Sequence, residues 1–82
     1  MKYQTIFNRL RRIEGQIRGI EDMLEKDKPE RDILIQLEAA KSSLASTISS
    51  FVELIIVKNR DEDGNVIIGE EELGIINRFI KK

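Results

Sequence analysis

The N-terminal part of the chain has an apolar stripe with a regular helical period. Isoleucine and leucine recur at alternating spacings of four and three residues: Ile6, Leu10, Ile13, Ile17, Ile20 and Leu24. This is a heptad spacing, which places apolar side chains on one face of an α-helix. We therefore predict a first helix over about residues 3–26, with its apolar face packed against another helix.

A second, longer helix is predicted over about residues 29–59. Pro29 disfavours helical backbone at Lys28, and Asp27, three residues before Glu30, has the spacing of a capping box. Apolar side chains then recur every three or four residues, and the middle of the segment is rich in serine (residues 41–50). The members of this second stripe are Ile33, Leu37, Ala40, Leu44, Thr47/Ile48, Phe51 and Leu54/Ile55.

The last third of the chain predicts a polar turn over residues 60–69 and a short third helix over about residues 70–81. Gly64 lies in a run of polar residues, which is typical of a turn. Three glutamates, residues 70–72, then favour a helix N-terminus, and Lys81 and Lys82 favour its C-terminus. A β-hairpin of residues 55–57 and 66–68 is the alternative, because both segments are β-branched.

The three helices indicate an all-α fold in a single domain spanning residues 1–82. A chain of 82 residues and 9.5 kDa buries a thin core by itself. Two helices with one apolar stripe each cannot enclose a core, whereas two such hairpins form a four-helix bundle. We therefore expect a homodimer at least.

Charge is divided unevenly along the chain. Residues 1–19 hold five basic residues and one acid, a local net charge of +4, although the whole chain carries −1. We expect the arginines of this segment to lie on the helix face opposite the apolar stripe and to bind phosphate. The predicted DNA-binding residues are Arg9, Arg12, Arg18 and Lys41. The alternative is a solvated face whose arginines pair with nearby acids such as Glu14 or Glu21.

Several kinds of chemistry are excluded by composition. The chain has no cysteine and no histidine, so it lacks the ligands of soft-metal sites and the pairs used in nucleophilic catalysis. We predict no catalytic residue, no metal site and no cofactor. Asp61, Asp63, Asn65 and Glu72 have the spacing of a calcium loop, but Val66 occupies the position that requires glycine, so a plain polar turn is favoured.

Three segments resemble one protein family. Residues 8–20, NRLRRIEGQIRGI, follow the pattern N-R-L-x-R-I-x-G-Q-x-x-G-I, which is similar to the signature of the copper-sensing CsoR/RcnR family of bacterial repressors. Residues 32–37 with Ala39 and Ala40 resemble the beginning of that family's second helix. The turn at residues 63–64 and the Glu-Glu-Leu of residues 71–73 resemble its C-terminal part.

The resemblance implies an antiparallel four-helix dimer, commonly a dimer of dimers, that binds operator DNA through basic residues of the first two helices. It also implies an inducer site of two cysteines and one histidine, whose positions fall here on Glu30, Ile55 and Asn59. These side chains cannot form a soft Cu(I) site, and no thiol is present for redox chemistry. A basic position on the second helix is Ser46 in this chain.

The sequence therefore predicts a cytoplasmic DNA-binding transcriptional regulator, repressor-like and not an enzyme, with an unidentified non-thiol effector. It has no signal peptide and no long apolar run, so no membrane partner is expected. An interaction or scaffold module without DNA binding is the main alternative. A helical enzyme that holds an anionic substrate is disfavoured, because that activity needs cations facing the bundle interior.

Overall fold

The computed structural model describes residues 1–80, with the backbone alone for Ile80, and contains three helices. α1 spans Gln4–Glu25, α2 spans Glu30–Lys58 and α3 spans Glu70–Ile80. The all-α prediction is confirmed for the described residues. Each predicted helix end that lies within these residues agrees with the observed end to within one residue. The predicted end of the third helix at Lys81, and the cations Lys81 and Lys82, lie outside the described residues.

The chain divides into two compact units, and the boundary lies inside α2. The first unit is Met1–Ser49, a hairpin of α1 and the first part of α2. The second begins at Ser50 and contains the end of α2, the turn and α3. That residues 1–82 form one domain stays a prediction.

In the first unit, only half of the α1 apolar stripe is buried. Ile6, Ile13 and Ile20 are 9%, 7% and 6% exposed, and they share the core of the hairpin with Ile33 and Thr47 of α2. The alternate members of the stripe, Leu10, Ile17 and Leu24, are 40%, 48% and 58% exposed. One seam of the heptad pattern therefore packs within the subunit, and the other seam faces outward.

α2 is apolar on more than one face. In the first unit, Leu34, Ile35, Leu37 and Leu44 are all exposed. A stretch of 18 residues has a mean hydropathy of 1.3, with 6% of it buried, so α2 is long and apolar enough to cross a membrane by length and composition alone. Core helices of soluble proteins have the same length and hydropathy. A helix that is apolar on several faces is buried, either in the core of a protein or in a membrane.

The turn between α1 and α2 differs from the predicted capping box. Asp27 has a φ of 51°, and its N–H donates to the Leu24 carbonyl at 3.2 Å, while the Lys28 N–H donates to the Met23 carbonyl at 3.0 Å. These two bonds form a Schellman motif. Asp27 therefore ends α1 instead of capping α2. In the first turn of α2, the N–H groups of Asp32 and Ile33 donate to the Pro29 carbonyl.

In the second unit, a tight turn joins the end of α2 to the segment before α3. Asp61 Oδ1 accepts hydrogen bonds from the N–H groups of Asp63 and Asn65, at 3.0 and 2.8 Å, and Gly64 has a φ of 84°. The β-hairpin alternative is wrong for the described residues. Residues 55–57 are helical, and a single antiparallel bridge joins Arg60 to Val66.

The apolar side of α3 contributes Ile76, which is buried in the second unit. Together with Ile56, Val66, Ile68 and Leu73, it lines a small apolar cleft of about 310 Å³. The predicted apolar face of α3 is thus only partly buried within this unit, because Leu73 and Phe79 are exposed.

Replacing Asp27 by glycine tests the left-handed end of α1. Glycine adopts a φ of 51° without the steric cost that a Cβ brings, so D27G is expected to raise the free energy of unfolding by about 0.5–1 kcal/mol. Chemical denaturation followed by circular dichroism measures the change. K28G is the control: Lys28 has a negative φ, so glycine there should give no gain. Equal gains for both variants would contradict the assignment.

Candidate functional site

A polar groove of about 660 Å³ lies between α1 and α2, entirely within the first unit. Its α1 wall is formed by Arg9, Arg12, Ile13 and Gln16, and its α2 wall by Ser42, Ser43, Ser46 and Thr47. Two of the four predicted DNA-binding residues therefore meet in one groove.

Helical periodicity explains both walls. Arg9, Arg12 and Gln16 are separated by three and four residues, so they stand above one another on one side of α1. Ser42 and Ser46 have the same four-residue relation on α2. Because the α2 side chains are small, the groove stays open beside the arginines, at the place where the resemblance would put a further basic residue.

Arg9 is held across the hairpin by a hydroxyl. Its Nη1 donates a hydrogen bond to Ser46 Oγ at 3.2 Å, and the guanidinium keeps further N–H donors for a ligand. Thr47 plays a different part: it is 3% exposed, and its hydroxyl donates to the Ser43 carbonyl at 2.9 Å. Thr47 is thus a core residue beneath the groove.

The groove is electropositive because its two arginines have no acidic neighbour in the lining. Arg9, Arg11, Arg12 and Arg18 form no ion pair with any residue that the structure describes. The alternative ion pairs of these arginines, with Glu14 and Glu21, are therefore not formed among the described residues. A salt bridge does join Lys26 to Asp22, at 2.9 Å, near the other end of the hairpin.

The positions of the arginines correct one sequence-based expectation. Arg9 is half-buried beside α2 rather than opposite the apolar stripe, so the arginines do not share one outer face. Arg18 is nine residues from Arg9, or two and a half helical turns, and so projects from the other side of α1. Its Nη2 lies 4.0 Å from the point that a Cβ on Gly15 would occupy.

Two other cations near the hairpin also lie outside the groove. Lys41 is exposed on α2 and does not line it. Arg11 places its guanidinium 5.6 Å from the centre of the Phe7 ring, a cation–π contact. Arg9 and Arg12 are therefore the structural core of the candidate site, and Arg18 and Lys41 remain predictions as outlying contacts.

Sequence reasoning missed Gln16 and the serine wall. Gln16 Oε1 is buried and has no hydrogen-bond partner, although Gln16 lies one helical turn from Arg12 and lines the same groove. The four-residue spacing of Gln16 from Arg12 and the serines of residues 41–50 were the available signals. They could be assigned to the groove only once the pairing of α1 with α2 was known.

The structure places the three positions at which the resemblance implies inducer ligands within or at the ends of α2. Glu30 is exposed at the start of α2, where a carboxylate favours the helix dipole. Asn59 Nδ2 donates to the Ile55 carbonyl at 2.7 Å, which also accepts from the Asn59 backbone N–H at 3.1 Å. Within residues 1–80, no group of three or more acidic, cysteine or histidine side chains is placed to hold a metal ion.

The hairpin and its groove define a small all-α protein with an anion-attracting surface. Residues 2–72 match the model of a family described as metal-sensitive transcriptional repressor. The chain belongs to this family. Since its members are transcriptional repressors and not enzymes, the enzyme alternative is set aside.

Two bacterial relatives support this assignment. The chain is 44% identical over 48 residues to the copper-sensing transcriptional repressor CsoR of Bacillus subtilis (strain 168), a match that covers 58% of this chain and 48% of the relative. It is 47% identical over 45 residues to the copper-sensing transcriptional repressor RicR of Mycobacterium tuberculosis (strain ATCC 25618 / H37Rv), covering 55% and 47%. The chain thus spans about half the length of these relatives. No solved structure gives a significant match.

The unpaired Gln16 oxygen yields a stability prediction. A buried acceptor without a donor costs about 1–3 kcal/mol, so Q16M, which keeps the length of the side chain and removes the polar atom, is expected to raise the free energy of unfolding by about 1 kcal/mol. Thermal and urea denaturation of the ligand-free protein measure it. A fall in stability would contradict the assignment of Gln16 Oε1 as an unpaired acceptor.

Proposed function

We propose that this chain is a DNA-binding transcriptional repressor that holds operator phosphates in the groove between α1 and α2. The observation that carries the proposal is the placement of Arg9 and Arg12, without acidic partners, along one open groove. Guanidinium groups bind phosphate oxygens strongly, often with two parallel hydrogen bonds. Membership of the repressor family supports the same conclusion.

The distribution of charge determines which part of the chain faces DNA. Residues 1–19 carry a net charge of +4 and the rest of the chain −5, so DNA attracts the first 19 residues, which include most of α1, more than the remainder of the chain. Arg18 and Lys41 are exposed and act as supporting contacts outside the groove, with Arg18 on the other side of α1. Such contacts to phosphate set affinity and position, while base identity is read by other means.

The assembly that we propose is a homodimer at least, built as a four-helix bundle. The outward seam of α1, formed by Leu10, Ile17 and Leu24, is more than one-third exposed at each residue. Exposed leucines and isoleucines on α2 extend this apolar surface, and a soluble protein rarely leaves such a patch open. A second copy of the hairpin covers it and repeats the arginine groove by symmetry, which multiplies phosphate contacts.

The effector that controls this repressor is neither a soft metal nor a thiol reagent. Cu(I) and Zn²⁺ require thiolate or imidazole ligands in sites of the family type, and the chain has neither side chain. We place the protein in the cytoplasm with DNA. The apolar surface of α2 is assigned to the bundle and not to a membrane.

Oligomer formation is tested by light scattering at micromolar concentration. The parent protein is expected to exceed the 9.5 kDa of one chain by at least twofold, and I17E is expected to lower the mass or make melting strongly concentration-dependent, because it places a charge in the outward seam. D22N, at an exposed position on the side of α1 away from Ile17, should leave the mass unchanged. A 9.5 kDa parent particle, or binding of the parent to lipid vesicles, would contradict the bundle.

DNA binding is tested with R9A and R12A against a duplex from the promoter beside the protein's own gene, at two salt concentrations. Each variant is expected to bind more weakly to operator and random duplex alike. The slope of log affinity against log salt should flatten by about one unit per lost phosphate contact.

The control for charge is R31A, which removes one positive charge from the first turn of α2 at the other end of the hairpin. It should bind nearly as tightly as the parent, while circular dichroism shows equal helicity for all variants. If R9A and R12A bind both duplexes as tightly as the parent, the protein uses its helices for assembly alone, and the scaffold interpretation replaces this one.

A further inference from the structure

Two amide side chains form an exposed pair near the start of α1. Gln4 Nε2 donates a hydrogen bond to Asn8 Oδ1 at 2.8 Å, and both residues are exposed. Neither side-chain amide makes another hydrogen bond among the described residues. The bond orients the Asn8 amide, whose Nδ2 keeps two N–H donors and whose Oδ1 keeps one lone pair.

The pair faces away from the rest of the hairpin. At 3.6 residues per turn, Gln4 and Asn8 lie on the side of α1 roughly opposite the buried Ile6 and Ile13. The outward seam of α1 also points away from this side. A second copy of the chain that packs on that seam therefore leaves the two amides accessible.

Guanidinium groups flank the amide pair on both sides of α1. Arg12 follows Asn8 by one helical turn and lies towards the groove with α2. Arg11 and Arg18 are exposed on the opposite flank and are about 10 Å apart along the helix. None of these arginines forms an ion pair with a described residue.

This arrangement matches the major groove of DNA. That groove is about 12 Å wide and admits an α-helix, whose diameter with side chains is about 10–12 Å. Phosphates line its two edges and base edges form its floor. A helix with amides in the middle and unpaired cations on both flanks presents a complementary group to each part. The division of the arginines between two sides of α1 is what such a helix requires.

We propose that this side of α1 enters the major groove of operator DNA and that Asn8 reads an adenine. Asn8 Nδ2 donates to adenine N7, and Asn8 Oδ1 accepts from the adenine N6 amino group, the paired contact that asparagine makes with this base. Gln4 is a positioning residue, because its bond to Oδ1 holds the amide of Asn8 in place. This inference rests on the proposed function and adds base identity to it.

The other three bases do not offer the same pair of groups. Guanine presents two acceptors in the major groove, cytosine a donor, and thymine an acceptor beside a methyl group. The oriented amide of Asn8 has a donor and an acceptor side by side, so adenine alone satisfies both. Contacts from the arginines to phosphate cannot make this distinction.

Fluorescence anisotropy with three duplexes of equal length tests the contact. They are the duplex from the promoter beside the protein's own gene, the same duplex with 7-deazaadenine in place of adenine, and a random duplex. Because 7-deazaadenine lacks N7, the parent is expected to bind the substituted promoter duplex about fivefold or more weakly than the natural one.

N8A is expected to bind the natural and the substituted promoter duplex equally. It should lose about fivefold or more in affinity for the natural promoter duplex and keep its affinity for the random duplex within about twofold. Its salt slope should equal that of the parent, because no phosphate contact is lost. Q4A should lose part of the preference for natural adenine, since Asn8 remains but is less well oriented.

The matched control is N65A, which removes an exposed amide from the turn before α3 that makes no side-chain hydrogen bond among the described residues. It should bind all three duplexes like the parent. R12A provides the contrast, because it should weaken binding to all three and flatten the salt slope. Circular dichroism should show equal helicity for every variant.

The outcomes separate this inference from the proposed function. Base reading is overturned if N8A remains as sensitive to 7-deazaadenine as the parent. It is also overturned if N8A weakens binding to the random duplex equally and flattens the salt slope, which would make Asn8 a phosphate contact. If R12A weakens all duplexes while N8A binds like the parent, the proposed function stands and base reading by Asn8 fails. If the parent binds no duplex, both fail.

Discussion

The packing of α1 on α2 through Ile6, Ile13 and Ile20 is the constraint on which the rest of the first unit depends. These three residues are seven apart, so they occupy one seam of the heptad pattern and fix the rotation of α1 about its own axis. Once that rotation is fixed, the residues on one side of the seam face the serines of α2. The polar groove is thus a direct consequence of which isoleucines are buried.

The same constraint leaves the second seam uncovered. Leu10, Ile17 and Leu24 alternate with the buried isoleucines and stay 40%, 48% and 58% exposed when the first seam is packed. A helix pair has only one interface, whereas a four-helix bundle gives each helix two neighbours. The division of one stripe into a buried seam and an exposed seam is therefore the physical basis of the proposed dimer, and the apolar surface of α2 extends it.

The α2 wall of the groove has small serine side chains, so the groove differs from a purely basic DNA-binding face. Ser46 holds Arg9 by a hydrogen bond at 3.2 Å where a second cation would repel it, and the arginine is thereby held across the hairpin. A hydroxyl is also a donor to a ligand. A hydroxyl donor beside the arginines thus stands at the position where the resemblance would put a further cation.

The sequence by itself determined the helices, because the period of the apolar residues and the Pro29 break are local properties. It also determined the family and the absence of soft-metal chemistry, since both depend on residue identity. It misassigned Asp27, because a capping spacing does not reveal which helix the residue ends; the left-handed backbone does.

Only the tertiary structure determined which arginines line the groove and which lie outside it. Arg9, Arg12 and Arg18 belong to one basic run, but whether a polar residue faces solvent or a neighbouring helix depends on which seam of the stripe is buried. For the same reason, Gln16 and the serines entered the site only when α2 was placed beside α1. A heptad pattern identifies the residues that can be buried, whereas the packing of the partner helix determines which of them are buried.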